Sequence, residues 1–207
     1  MPDERAAGSR AEQRAATRRA LVAEGRRRFA GDGYHGVVLA EVARAVGVTK
    51  GAAYHHFESK AGLFEAVVAE VQRDLGERVA AAAEVYDDPW EQLRAGCRAF
   101  LAAGSDPAVR RIVLVDAPTV LGWDKWRAMD EESSARHLTE ALTALIEAGI
   151  VAEQPVEPLA RLLSGAMNEA ALWLARSGTP EALELTVSAL DGLLAGIRRE
   201  DPERPMP

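Results

Sequence analysis

The stretch Val38 to Lys60 (VLAEVARAVGVTKGAAYHHFESK) gathers side chains suited to meeting a phosphate chain. Thr49 is a good helix N-cap, and the free N–H groups behind such a cap, with the positive end of the helix dipole, favour an anion. Lys50 and Lys60 carry full positive charge, the Tyr54 hydroxyl can donate to a phosphate oxygen, and His55 can meet a phosphate or a base. Gly51 and Ala52 have almost no side chain, so a helix bearing them can come close to base edges. Phe57 reads as core and His56 as a packed or capping residue. Few of these groups are strong base readers, so DNA shape would carry part of any specificity.

For an enzyme the chain offers little. It has no G-x-S-x-G elbow, no glycine-rich loop ending in G-K-[ST] and no H-E-x-x-H helix. His55, His56 and Glu58 do not form a metal set, because adjacent histidines on a helix point apart. Cys97, the single cysteine, lies in an apolar helical setting and reads as inert core. No catalytic residue, metal or cofactor is expected.

These groups need short helices to hold them. Val38 to Ala45 and Lys50 to Phe57 read as two helices joined by a tight turn at Val46-Gly47-Val48, a helix-turn-helix. Ala43 is small where the pair would cross, and Val42, Val46 and Val48 face a preceding helix, Arg10 to Gly31, whose Leu21, Val22, Gly25 and Phe29 share a face. Gly31 and Gly33 are expected to stop that helix. Ser59 caps a fourth helix with a stripe of Leu63, Phe64, Val67, Val68 and Val71, running to about Val85. Further helices are expected from Pro89 to Ala103, from Asp106 to before Pro118, from Trp123 to Ala148, from Pro155 to Ser177 and from Glu181 to Arg198. The fold class is all-α with about nine helices: an N-terminal three-helix domain and a larger helical domain. The expected boundaries are a disordered tail at 1–9, a DNA-binding domain at 10–58, an effector-binding and dimerisation domain at 59–200 and a loose tail at 201–207.

Charge divides along the same line. Residues 1–60 hold eleven Lys/Arg against seven Asp/Glu, whereas the remainder holds fourteen against twenty-five, within a total of −7. One half is thus fitted to a polyanion although the whole chain is acidic. With no apolar run of membrane-spanning length, no signal peptide and one cysteine, a cytoplasmic protein without membrane association is expected.

In the second half, candidates for an effector pocket are Phe100, Trp123, Trp126, Met129, His137, Met167, Asn168 and Glu169. Asn168 and Glu169 interrupt a helix that reads as apolar nearly all round from Leu159 to Ala175, so a ligand, a dimer mate or a neighbouring helix must satisfy them. Asp116 is a weaker candidate. Leu183, Val187, Leu190, Leu194 and Ile197 recur at helical spacing in the last helix, which with the helix before it could make a four-helix dimer seam.

Taken together, Phe29, Gly33-Tyr34, Val42-Ala43, Ala45-Val46-Gly47-Val48-Thr49-Lys50-Gly51, Tyr54-His55-His56-Phe57, Lys60 and Leu63 resemble the N-terminal domain of TetR/AcrR-family regulators, in order and without gaps. The segment Asp116 to Trp123 is similar to part of some members' effector domains. The resemblance implies a homodimer joined through its last two helices, a near-palindromic double-stranded DNA operator, and repression lifted by a small molecule. One position departs from the pattern. The family commonly has Thr or Ser at the start of helix two, where this chain has Val38, which can neither cap nor touch phosphate through its side chain. That departure keeps open an alternative: a helical ligand sensor acting through a protein partner without DNA binding.

Overall fold

A computed structural model describes residues 3–177 and 179–199. It is helical almost throughout, and the described residues divide into two compact units, residues 1–71 with 111–126 and residues 72–110 with 127–207. The expected loose tail at 201–207 lies outside the described residues.

The first unit opens with α1 (Asp3–Gly36), which begins before the expected Arg10, so the reading of 1–9 as a disordered tail is corrected for residues 3–9. Glu4, Arg5, Ala6 and Ala7 are good helix formers, which accounts for the extension. Nor does Gly31 end the helix. The break comes at Gly33 (φ 69°, ψ 172°), where a side chain would also collide with the Arg111 guanidinium. Leu21, Val22 and Phe29 are buried as the spacing predicts, and Phe29 meets Phe64 edge-on at 4.9 Å. α2 (Leu39–Ala45) and α3 (Lys50–Phe57) follow, joined at Gly47 (φ 75°). α4 (Lys60–Ala83) buries Leu63, Phe64, Val67 and Val68 completely.

The second unit contains α5 (Pro89–Gly104), capped by Asp88, and α6 (Pro107–Val109), capped by Asp106. A π-helical turn, Arg110–Asp116, continues into α7 (Ala117–Leu121), so the helical path does not stop before Pro118. This stretch belongs mostly to the first unit: Asp116 Oδ2 accepts from Tyr34 N–H at 2.9 Å, and Arg111 Nη1 donates to Gly31 O at 3.3 Å.

The helix expected from Trp123 to Ala148 is instead two, α8 (Trp123–Glu131) and α9 (Ser134–Glu147). Ser133 leaves helical geometry (φ −125°, ψ −116°), its hydroxyl donating to the Gln72 carbonyl, and Ser134 Oγ donates to Asp130 Oδ1 at 3.1 Å. Side-chain bonds of this kind offer the chain an alternative to the helix ladder. α10 (Val156–Ser177) and α11 (Pro180–Ala195) complete the bundle. The core of this unit runs from Leu75 and Val79 through Leu93, Phe100, Leu101, Leu142 and Leu163 to Leu194. Arg94 ties α5 to α11 with a two-pronged bond to Asp191 (2.8 and 3.0 Å). Among the described residues no helix is long and apolar enough to cross a membrane.

Candidate nucleic-acid interface and effector cavity

α3 sorts its residues by face. Ala53 and Phe57 are buried, while Lys50, Gly51, Tyr54 and His55 are exposed and Ala52 is half-buried. Thr49 caps the helix by accepting from Ala52 N–H at 3.2 Å. A Cβ on Gly51 would meet nothing closer than 4.0 Å, so the start of the helix is open. The Lys50 ammonium lies 5.6 Å from the Tyr54 ring centre, within range of a cation–π attraction. Val38 caps α2 with no side-chain bond, as its aliphatic character dictates.

Lys60 is less free than its sequence position suggests. Its Nζ donates to Tyr34 O at 2.9 Å and stands 4.3 Å from the Tyr34 ring centre. The ammonium has three N–H groups, so two remain for another acceptor. Burial, with Arg14, His55 and Arg18 nearby, holds His56 below the ordinary histidine range. It is therefore neutral at pH 7 and adds no charge to this face. Arg18 stacks over the buried Phe57 ring at 5.1 Å.

The second unit contains a cavity of about 350 Å³ whose wall comes from α4 (Val79, Ala80, Ala83), α5 (Leu93, Gly96, Cys97, Phe100), α9 (Ser134, His137, Leu138) and α10 (Ser164, Met167). Of the residues expected to line a pocket, Phe100, His137 and Met167 are in this wall; Trp123, Trp126, Met129, Asn168 and Glu169 are not. Trp123 is exposed and packs against buried Trp126 at 4.9 Å, both within the first unit. Glu169 is exposed and pairs with Arg176 at 3.7 Å, and Asn168 is half-buried. The apolar reading of α10 fails for a physical reason. Leu162, Ala166 and Trp173 look like core by composition but are exposed, and Glu169 belongs to their face. Asp116 accepts from the backbone N–H of Tyr34 and is not in this wall.

Sequence reasoning missed Ser134, Ser164 and Cys97. Burial pushes the Cys97 thiol up to about 12, which keeps it neutral and agrees with an inert wall residue. Ser134 and Ser164 belong to a buried group centred on Asp130. Asp130 Oδ2 accepts from Arg127 Nη1 at 3.1 Å and from Ser164 Oγ at 3.4 Å, and Arg127 Nη1 also donates to Ser164 Oγ at 3.0 Å. Burial raises the Asp130 carboxyl above the ordinary range, while Arg127 and the two serines pull it back. A helical Asp-x-x-x-Ser is the only local sign of this group.

Comparison with known proteins places both halves. Residues 21–67 match the family described as bacterial regulatory proteins, tetR family, and residues 90–197 match the tetracyclin repressor-like C-terminal domain. The HTH-type transcriptional regulator BetI of Burkholderia mallei is 32% identical over 176 residues, spanning 79% of this chain and 86% of that protein. A TetR-family transcriptional regulator from Pectobacterium atrosepticum superposes with a TM-score of 0.73 at 35% identity, covering 91% of this chain and 97% of its own. Another TetR transcriptional regulator, from Chloroflexus aurantiacus, shares the fold with a TM-score of 0.75 at 22% identity, covering 92% and 100%. An exposed α3 within a helix-turn-helix and a regulator-type helical domain after it thus have the same explanation: this chain belongs to the TetR family of DNA-binding transcriptional regulators.

Proposed function

We propose that the protein is a homodimeric repressor that leaves a near-palindromic operator when a small molecule enters the cavity of its second unit. The observation that carries the DNA half is the outward face of α3, where Lys50, Gly51, Tyr54 and His55 are exposed while Ala53 and Phe57 anchor the helix from behind. In this reading Thr49, Lys50, Tyr54 and Lys60 hold phosphates, Gly51 and Ala52 let the helix approach the base edges, and His55 reaches a base or a phosphate. The two recognition helices of a dimer would lie roughly 34–36 Å apart, one turn of DNA.

The dimer seam we assign to α10 and α11. Leu162 and Trp173 on α10 and Leu185 and Leu193 on α11 are large, apolar and exposed, from 44% to 72%. A helix pair with such a face gains by packing against its twin. Glu169 lies on this face, so a dimer mate is the partner we assign to it.

Helix α4 is continuous from Lys60, beside α3, to Ala83, in the cavity wall. A ligand that favours one position of this helix would thereby change the fit of α3 to DNA, by as much as it distinguishes the two positions. The test is a titration of a labelled duplex from the region flanking the protein's own gene. Affinity that falls steeply between about 50 and 200 mM salt is expected. Salt-independent binding, or none, would refute the operator reading.

A further inference from the structure

The effector cavity has one buried polar corner, and its hydrogen bonds have a definite direction. Ser134 Oγ donates to Asp130 Oδ1 at 3.1 Å and Ser164 Oγ donates to Asp130 Oδ2 at 3.4 Å. Both serines are nine-tenths or more buried, and both line the cavity. Each hydroxyl has one proton and two lone pairs. With both protons committed to the carboxylate, only lone pairs are left to face a ligand. Arg127 Nη1 takes one of those on Ser164, at 3.0 Å. Ser134 receives no such bond among the described residues, so it is the stronger acceptor of the pair.

Helical hydroxyls in this protein usually turn to the carbonyl one turn back, as Thr139 does to Ala135 O (2.9 Å) and Thr143 to Thr139 O (2.8 Å). Ser134 and Ser164 are diverted from that habit by Asp130. The rest of the wall is mainly apolar around Phe100, Met167 and Leu138; Gln92 and His137 are half-buried polar members, and the carboxylates Glu84 and Glu140 are on exposed positions. No lysine or arginine lines it among the described residues. An anion entering here would leave water without a lysine or arginine to meet it, at a cost that a neutral molecule avoids.

We propose that the cavity selects an uncharged, apolar-bodied molecule carrying a hydroxyl, whose proton is received by Ser134 with Ser164 beside it. This rests on the reading of the cavity as the effector site. It assigns to Asp130 and Arg127 the task of fixing the direction of the serine hydroxyls without touching the ligand.

Three probes of one ring system separate the possibilities: 1-naphthol, 1-methoxynaphthalene and 1-naphthoate, each titrated calorimetrically into the full-length protein at pH 7. One neutral hydrogen bond corresponds to roughly three- to tenfold in affinity. Naphthol is therefore expected to bind about tenfold tighter than its methyl ether, with naphthoate weakest. Ser134→Ala should erase most of the naphthol preference and leave the ether's affinity unchanged. An ether that equals naphthol, a naphthoate that binds best, a variant that weakens both neutral probes alike, or no binding by any probe would each overturn the proposal. The wild-type comparison of probes decides the matter even if the variant does not fold. Adding the operator duplex separates the two readings. Naphthol that binds through Ser134 but leaves DNA bound would sustain the subsite and overturn release by ligand.

Discussion

Glu24 on α1 accepts from Arg27 at 2.7 and 2.8 Å and from Arg28 at 2.6 Å, and these bonds hold its carboxyl down to about 2. A depressed value means that the ionised form favours the fold. Its contribution is complete above pH 4.5, the ordinary value, and is lost as pH falls toward about 2. The stability difference between wild type and Glu24→Gln should therefore shrink through that window in acid denaturation followed by circular dichroism; a constant gap would contradict it. Lys60 has a double task in the proposed function. Lys60→Ala should cost about 1 kcal/mol of stability through Tyr34, and should also weaken all DNA sequences alike and flatten the log–log salt slope by about one. An unchanged slope would leave it a structural tie only. The Thr49 cap was legible from sequence because capping acts over three residues. The Lys60 bond was not, since Tyr34 is distant in the chain and the partner is a backbone carbonyl.

Between elements, the joint of α3 and α4 leaves no room for a side chain at Gly62. Ser59 Oγ caps α4 through Gly62 N–H at 3.0 Å, and a Cβ on Gly62 would collide with the Phe57 carbonyl oxygen. Gly62→Ala should destabilise the protein by about 1–3 kcal/mol, because backbone must yield. Gly31→Ala, where a Cβ meets nothing within 4 Å, should be neutral or stabilising by up to about 1 kcal/mol. Thermal melts of the two variants that move in the same downward direction would refute the contrast. The helix-turn-helix could be read from sequence because apolar spacing, Gly47 and Thr49 agree locally. The break between α8 and α9 could not, because Ser133 and Asp130 act through Gln72 and Ser164, on helices remote in sequence. The same remoteness hid the polar corner of the cavity, while the weight given to large aromatics drew attention to Trp123 and Trp126.

For the molecule as a whole, the proposed seam carries the sharpest prediction. Leu185 is 67% exposed in the single chain, and Leu162 is 72%. Leu162→Glu with Leu185→Glu should convert a dimer to a monomer at micromolar concentration in sedimentation, with helicity kept and operator affinity reduced by at least tenfold. A wild type that sediments as a monomer would remove the seam. The stripe expected to form the seam, Leu183, Val187, Leu190, Leu194 and Ile197, packs into the core of its own unit instead. Its spacing marks a buried face but does not say whether the same chain or a second copy covers it, and the outward Leu185 and Leu193 lie off that spacing.

The first unit is not one stretch of chain. It takes in residues 111–126, which supply the Asp116 carboxylate to Tyr34, the Arg111 guanidinium to Gly31 and the Lys125 ammonium to Glu65 at 2.6 Å. The DNA-reading module therefore cannot be transplanted by a single cut. A fragment ending at Val71 would carry every residue of the helix-turn-helix and still lack the brace behind it, so a chimaera that keeps this recognition helix must import the brace as well.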